Sequence, residues 1–323
     1  VSVIQIPITG RDQWLDLRKQ DVTASVVGAL NNLHPFTSRL RLYKEKSGAD
    51  LGEVKQNVRM RRGLILERAV AQIVMQDYPS WHITPAGVYL RDPDRRIGAT
   101  PDFFVDADDE LGLGVLQTKI TTYRAFRQNW MDDDGALMVP PWIVLQTTTE
   151  MMMAGAEWGA VGCFIDDAFN PLDKDMFVFR LDRHPAGEAK ILADVADFWR
   201  DIELRNEPDA NPKLDAELMK LLYPQSDPLI TVDLSGDNYL PGALAARADA
   251  KARIKADQAF IEEVETDLKS KMGFAELAFL NGFTVTLKTQ HRSAYAVKET
   301  SFRKLNVMDQ RPKETDSGEP ISF

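Results

Sequence analysis

The tightest constraint on this chain comes from two short segments, Gly98-Ala99-Thr100-Pro101-Asp102 and Gly114-Val115-Leu116-Gln117-Thr118-Lys119. An acidic turn separates them, so they read as neighbouring strands. Side chains alternate along a strand, which puts Gln117 and Lys119 on one face, beside Asp102 if the strands pair. Oxygen ligands for a hard cation, with an ammonium near the attacked phosphate, form the layout that metal-dependent phosphodiester hydrolysis needs. One atom type departs from it. Most such sites carry a carboxylate where this chain has the amide of Gln117.

Length and composition set the frame for that site. At 323 residues the chain exceeds a typical domain, which suggests one large domain with an appendage. Hydrophobic content of 44% and charged content of 27% are those of an ordinary globular protein. No apolar run approaches the roughly 18 residues that would suggest a membrane span. Residues 1–7 have neither the basic region nor the apolar length of a signal peptide. Cys163 is the only cysteine, which rules out an intrachain disulfide and a cysteine zinc cluster, and a cytoplasmic location is expected. The net charge of -10 argues against indiscriminate nucleic-acid binding. It leaves DNA open as a substrate, because a nuclease can gather carboxylates at its site and confine basic residues to one channel. His34, His82, His184 and His291 share no ligand spacing and receive no metal role.

Hydrophobic periodicity predicts a helix, a break and a second helix start over 14–28, with Thr23 or Ser25 placed to cap the second. Further helices are expected over 36–47, 54–76, 143–155 and 185–205. Strands are expected over 81–90, 99–105, 115–120, 158–165 and 175–181. This order implies an α/β fold, a mixed central sheet flanked by helices. The turn-rich stretch 207–212 predicts a boundary, giving a domain over 1–207 and an accessory region over 208–323. In the latter, 241–272 reads as a helix too long to stand alone, needing a partner helix or a second subunit. Residues 283–288 alternate as a strand after Asn281-Gly282, with 294–297 as a candidate partner. The tail from Asp309 reads as mobile.

Several motifs resemble, in order, those of the PD-(D/E)XK nuclease superfamily, and within it the YqaJ and lambda-exonuclease recombination nucleases. Arg11-Asp12-Gln13-Trp14-Leu15-Asp16-Leu17-Arg18 followed by Val22-Thr23-Ala24-Ser25 is similar to that family's opening motif. Gly63-Leu64-Ile65-Leu66-Glu67 resembles its glutamate-bearing helix. Pro140-Pro141-Trp142-Ile143-Val144-Leu145-Gln146 resembles its glutamine motif, with Trp142 at the usual tyrosine. The match covers about residues 10 to 165.

The resemblance implies a nuclease core with a helical C-terminal extension ending in a small hairpin. It implies that Glu67, Asp102, Gln117 and the carbonyl of Thr118 hold Mg2+ or Mn2+, two ions in the full site. Asp102, Gln117, Lys119 and Glu67 form the implied catalytic set, in which Lys119 positions or activates the attacking water. Arg18, Thr23, Ser25, Thr100 and Gln146 are the implied DNA contacts. A guanidinium and hydroxyls at a helix start are also a chemically reasonable anion site. The expected activity is 5′-to-3′ digestion of double-stranded DNA ends in phage-type recombination, with a single-strand annealing partner and a homo-oligomeric ring. Gln117 reads either as a natural variant or as a Glu→Gln substitution that traps substrate. Rival readings are a catalytically silent DNA-binding module, a structure-specific endonuclease on the same core, and an assembly protein built on the long helix.

Overall fold

The computed structural model describes residues 2–52, 58–293, 303–305 and 307. The first elements are β1 (Ile4–Pro7), α1 (Arg11–Gln20), β2 (Val22–Thr23) and a 3-10 helix (Ala24–Asn31). Helices α2 (Arg39–Lys46) and α3 (Val58–Asp77) precede five strands: β3 (Trp81–Pro85), β4 (Val88–Asp92), β5 (Ile97–Ala99), β6 (Phe103–Ala107) and β7 (Gly114–Thr121). Then come α4 (Tyr123–Asn129), α5 (Pro141–Ala154), β8 (Trp158–Ile165), β9 (Met176–Asp182), α6 (Pro185–Glu203) and α7 (Ala216–Leu222). The chain continues through α8 (Leu240–Met272), β10 (Leu277–Leu280) and β11 (Phe283–Thr286). Among the described residues no helix is long and apolar enough to cross a membrane.

The α/β expectation holds, but the sheet is divided. A five-stranded sheet runs β3-β6-β7-β8-β9, and a four-stranded sheet runs β1-β4-β5-β2. The larger sheet is mixed: β7 and β8 are parallel, and the other pairs are antiparallel. The single strand expected over 81–90 is two strands, one in each sheet. Gly87, at φ 61, turns the chain between them. The strand expected over 99–105 is likewise broken at residues 100–102 into β5 and β6. Ala86 N–H donates to the Asp102 carbonyl at 3.2 Å, so the two breaks lie against each other. Pro85, Gly87 and Pro101 are local breakers, but the strand period alone does not show that the chain changes sheet at them.

Each sheet has its own core. Val70, Ala71 and Val74 of α3 pack on Phe103, Val105, Leu116, Trp158 and Ala160, covering one face of the larger sheet. On the smaller sheet, Val22, Leu90 and Ile97 bury against the 3-10 helix and Ile191, Val195 and Phe198 of α6. Full burial of one such side chain stabilises by about 1.5–3 kcal/mol, so these clusters fix the sheets that carry the site.

The first compact unit spans Val1–Tyr223, past the boundary expected at 207. Ser38 Oγ donates to Asp215 Oδ1 at 2.5 Å, Asn211 N–H donates to Asp215 Oδ2 at 2.7 Å, and Leu218 is buried. Residues 207–212 are therefore a loop that returns to the core. The second unit, Pro224–Phe323, contains α8 and the β10-β11 hairpin. Strand β11 pairs with the preceding segment, Leu280 opposite Phe283 across Asn281-Gly282. An Asn-Gly pair favours a two-residue hairpin turn, which explains this upstream partner. The candidate strand 294–297 and the tail from Asp309 lie outside the described residues.

Candidate active site

The two breaks put Asp102 at the point where the chain enters the larger sheet, just before β6. Phe103 pairs with Leu116, so Asp102 comes level with Gln117. Its Oδ2 accepts from Thr118 N–H at 2.8 Å, Thr118 Oγ at 2.8 Å and Gln117 Nε2 at 2.5 Å. Burial raises the Asp102 carboxyl's affinity for a proton, and Lys119 and the Thr118 bonds oppose that rise.

Two places further along β7, Lys119 donates from Nζ to Gln146 Oε1 at 3.3 Å. Gln146 projects from α5, which Pro140 and Pro141 start by supplying the fixed φ of a first helical turn. Its Nε2 donates to Gln117 Oε1 at 2.8 Å and to Glu150 Oε1 at 2.9 Å. Glu67 reaches the site from α3. Its carboxyl is pushed up to about 7 by burial and by Asp102, with Lys119 opposing. The structure thus brings Asp102, Gln117, Thr118, Lys119, Glu67 and Gln146 together.

Sequence reading missed Glu150. It is buried to 1% exposure, and burial and Asp102 push its carboxyl up to about 8. It sits one helical turn beyond Gln146, and that i,i+4 spacing was the available signal.

A second cluster lies around Arg18. Arg18 Nη2 donates to Ser25 Oγ at 2.8 Å, and Ser25 and Thr23 hydroxyls are 3.2 Å apart. The guanidinium stacks 4.5 Å from the Trp14 ring centroid, and Trp14 Nε1 donates to Thr100 Oγ at 3.2 Å. Neither expected cap forms: Thr23 stands at the N-cap of the 3-10 helix without a side-chain bond to it, because its hydroxyl turns to Ser25. Burial lowers the proton affinity of both Arg18 and Lys46, and Lys46 Nζ donates to the Arg18 carbonyl at 2.6 Å. Lys46 was also missed, hidden in a charged helix end that reads as solvated. His34 accepts at Nδ1 from Phe36 N–H at 3.2 Å and Thr37 N–H at 2.9 Å. It hydrogen-bonds with the Ser25 backbone and lies near enough to Lys119 to lose proton affinity, though burial is the larger cause.

Among the described residues no three His, Cys, Asp or Glu side chains are grouped as metal ligands. The group that lies beside Asp102 at position 117 is an amide, not a carboxylate.

A strand-borne aspartate and lysine beside a helix-borne glutamate are the residues on which the sequence resembles the PD-(D/E)XK nucleases. Residues 13–157, a little under half of the chain, match the model of the YqaJ-like viral recombinase domain. The chain is also similar to solved structures. The alkaline exonuclease LHK-Exo from Laribacter hongkongensis is 23% identical with a TM-score of 0.46, over 60% of this chain and 94% of that one. A complex of LHK-Exo with dAMP is 22% identical with a TM-score of 0.46, over 65% of this chain and 100% of that one. A phage-related exonuclease from Haemophilus somnus is 9% identical with a TM-score of 0.41, over 58% and 96%. No curated protein matches the chain.

Proposed function

We propose that this chain is a divalent-metal-dependent DNA exonuclease of phage-type recombination, weakened by Gln117. The observation that carries this reading is the convergence of Gln117 and Thr118 on Asp102, with Lys119 on the same strand face. The match to a viral recombinase domain supports the recombination setting.

The donor set fits a hard cation. Burial and repulsion from Asp102 raise the proton affinities of Glu67 and Glu150, and Lys119 is the cation that opposes both. A divalent ion would relieve the same repulsion. Asp102, Glu67, the Gln117 amide oxygen and the Thr118 carbonyl would hold Mg2+ or Mn2+, two ions in the full site. Gln117 would first have to turn, since its nitrogen faces Asp102. A bound divalent ion supplies Lewis acidity and makes water a nucleophile at neutral pH. Thr118 keeps Asp102 aimed, and Gln146 keeps the Lys119 ammonium in place to meet a phosphate oxygen. Arg18, Thr23, Ser25 and Thr100, with Lys46 alongside, would receive the terminal phosphate. Double-stranded ends, 5′-to-3′ polarity, a homo-oligomer and a single-strand annealing partner complete the proposal.

One contact favours a second reading. The amide N–H of Gln117 donates to Asp102 and so takes over part of a cation's role, as suits a DNA-binding module without chemistry.

Linear and circular plasmid DNA, incubated with Mg2+ or Mn2+, separate these readings when this chain and Gln117→Glu are compared. The expected result is loss of linear DNA from its ends, at least about tenfold faster with Gln117→Glu, a barrier change of about 1.4 kcal/mol. Equal rates in both metals would remove residue 117 from the ligand set. Nicked circles would indicate an endonuclease, and a gel shift without cleavage by either protein would indicate the binding module.

A further inference from the structure

Glu150 is a buried carboxyl that none of the roles above uses. Its Oε1 accepts from Gln146 Nε2, and its Oε2 is buried without a hydrogen-bond partner. A buried polar atom left without a hydrogen-bond partner costs stability.

Its position decides how the Gln146 amide faces. That amide has two N–H donors and one oxygen. The donors go to Glu150 Oε1 and Gln117 Oε1, and the oxygen is left to accept from Lys119. Reversing the amide would set its oxygen against two acceptors and its N–H groups against an ammonium. Along this relay of hydrogen bonds, Glu150 stands at the opposite end from Asp102. It sits in the second half of α5, with Thr149 and Met151 also buried on either side. The helix keeps it from moving away.

We propose that Glu150 is a positioning residue: it fixes the orientation of the Gln146 amide, which in turn places Lys119 and the side chain at 117. Its effect on cleavage rests on the nuclease reading, but the positioning itself does not. A glutamate at 117 would still accept from Gln146, so the relay survives in an active form.

The test has two readouts. The first is cleavage in the Gln117→Glu protein, with Glu150→Leu and Glu150→Gln added separately. Leucine removes the acceptor, and glutamine keeps a carbonyl that can accept. Glu150→Leu is expected to lower kcat by about tenfold or more with KM for DNA ends little changed, since misplacement of reacting groups acts on turnover. Glu150→Gln is expected to recover most of the loss. Unchanged kcat in Glu150→Leu, or equal losses in both variants that track the folded fraction, would overturn the proposal. The second readout needs no activity. The side-chain N–H signals of Gln146, followed by NMR in the unaltered chain, should be held and slow to exchange. They should become mobile in Glu150→Leu and stay held in Glu150→Gln. Gln146 signals that are the same in all three proteins would overturn the positioning role even if Gln117→Glu cleaves nothing, a result that would count against the nuclease reading alone.

Discussion

Thr118 gives Asp102 two of its three hydrogen bonds, one from backbone and one from its hydroxyl. Changing the charge at 102 should therefore leave the local structure in place. Asp102→Asn removes a negative charge that repels Glu67 and Glu150, so it should be neutral or mildly stabilising. Asp102→Asn and Lys119→Ala, each made in the Gln117→Glu protein, should abolish cleavage while stability stays within about 2 kcal/mol. Turnover at the parent rate in either variant would refute the site. Glu67 and Glu150 also make stability depend on pH. Each holds its proton better in the folded chain than in the unfolded one. The stability this adds is full below the ordinary 4.5 and lost as pH rises through about 7 for Glu67 and about 8 for Glu150. Melting temperature in a chelator should fall across that window, and Mg2+ should oppose the fall at its upper end. A profile that Glu67→Gln and Glu150→Gln leave unaltered would show that neither carboxyl contributes.

Among the elements, β5 has the least room to vary. A Cβ on Gly98 would stand 2.1 Å from Tyr89 Oη, and Tyr89 is fully buried and bonded to Asp21 at 3.0 Å. The ring cannot yield without breaking that bond. Gly98→Ala should cost about 1–3 kcal/mol, read as a lower denaturation midpoint, and should reduce cleavage by shifting Asp102. No change in midpoint would mean that the strand gives way more easily than this packing allows. This glycine marks what the sequence could and could not show. Alternation in 114–119 revealed β7 and the shared face of Gln117 and Lys119, because a strand's period is local. The split into two sheets depends on a left-handed turn at Gly87 and on contact between residues distant in sequence, so it left no periodic trace. Glu150 was obscured in the same way. Its neighbours Thr149 and Met151 look like helix filler until packing shows the carboxyl enclosed.

At the scale of the molecule, the two units differ in how they are held. The first has buried cores on both sheets. In the second, none of the described residues from 224 onward is buried. Along α8, Ile254 is 67% exposed, Phe260 66%, Ile261 48% and Val264 43%. A helix this long, bearing apolar side chains and followed by a two-stranded hairpin, gains little stability alone. Association through α8 should therefore appear in sedimentation equilibrium as a mass above that of one chain. Ile254→Lys with Ile261→Lys should lower the mass and leave the first unit folded. A single-chain mass for the unaltered protein would remove α8 as an assembly element.

Asp102 stands where the chain leaves one sheet and joins another, and this gives the site no border of its own. Lys119 takes its position from the larger sheet, whereas Asp102 is reached through β5 of the smaller one. The distance between them thus registers the fit of two separately packed cores. A cavity opened at Leu90 or Ile97, in the core of the smaller sheet, would be felt as a misplaced carboxylate, and an offset of about 1 Å can cost on the order of a hundredfold in rate. Residues that touch neither metal nor DNA would then be as exacting as the ligands themselves.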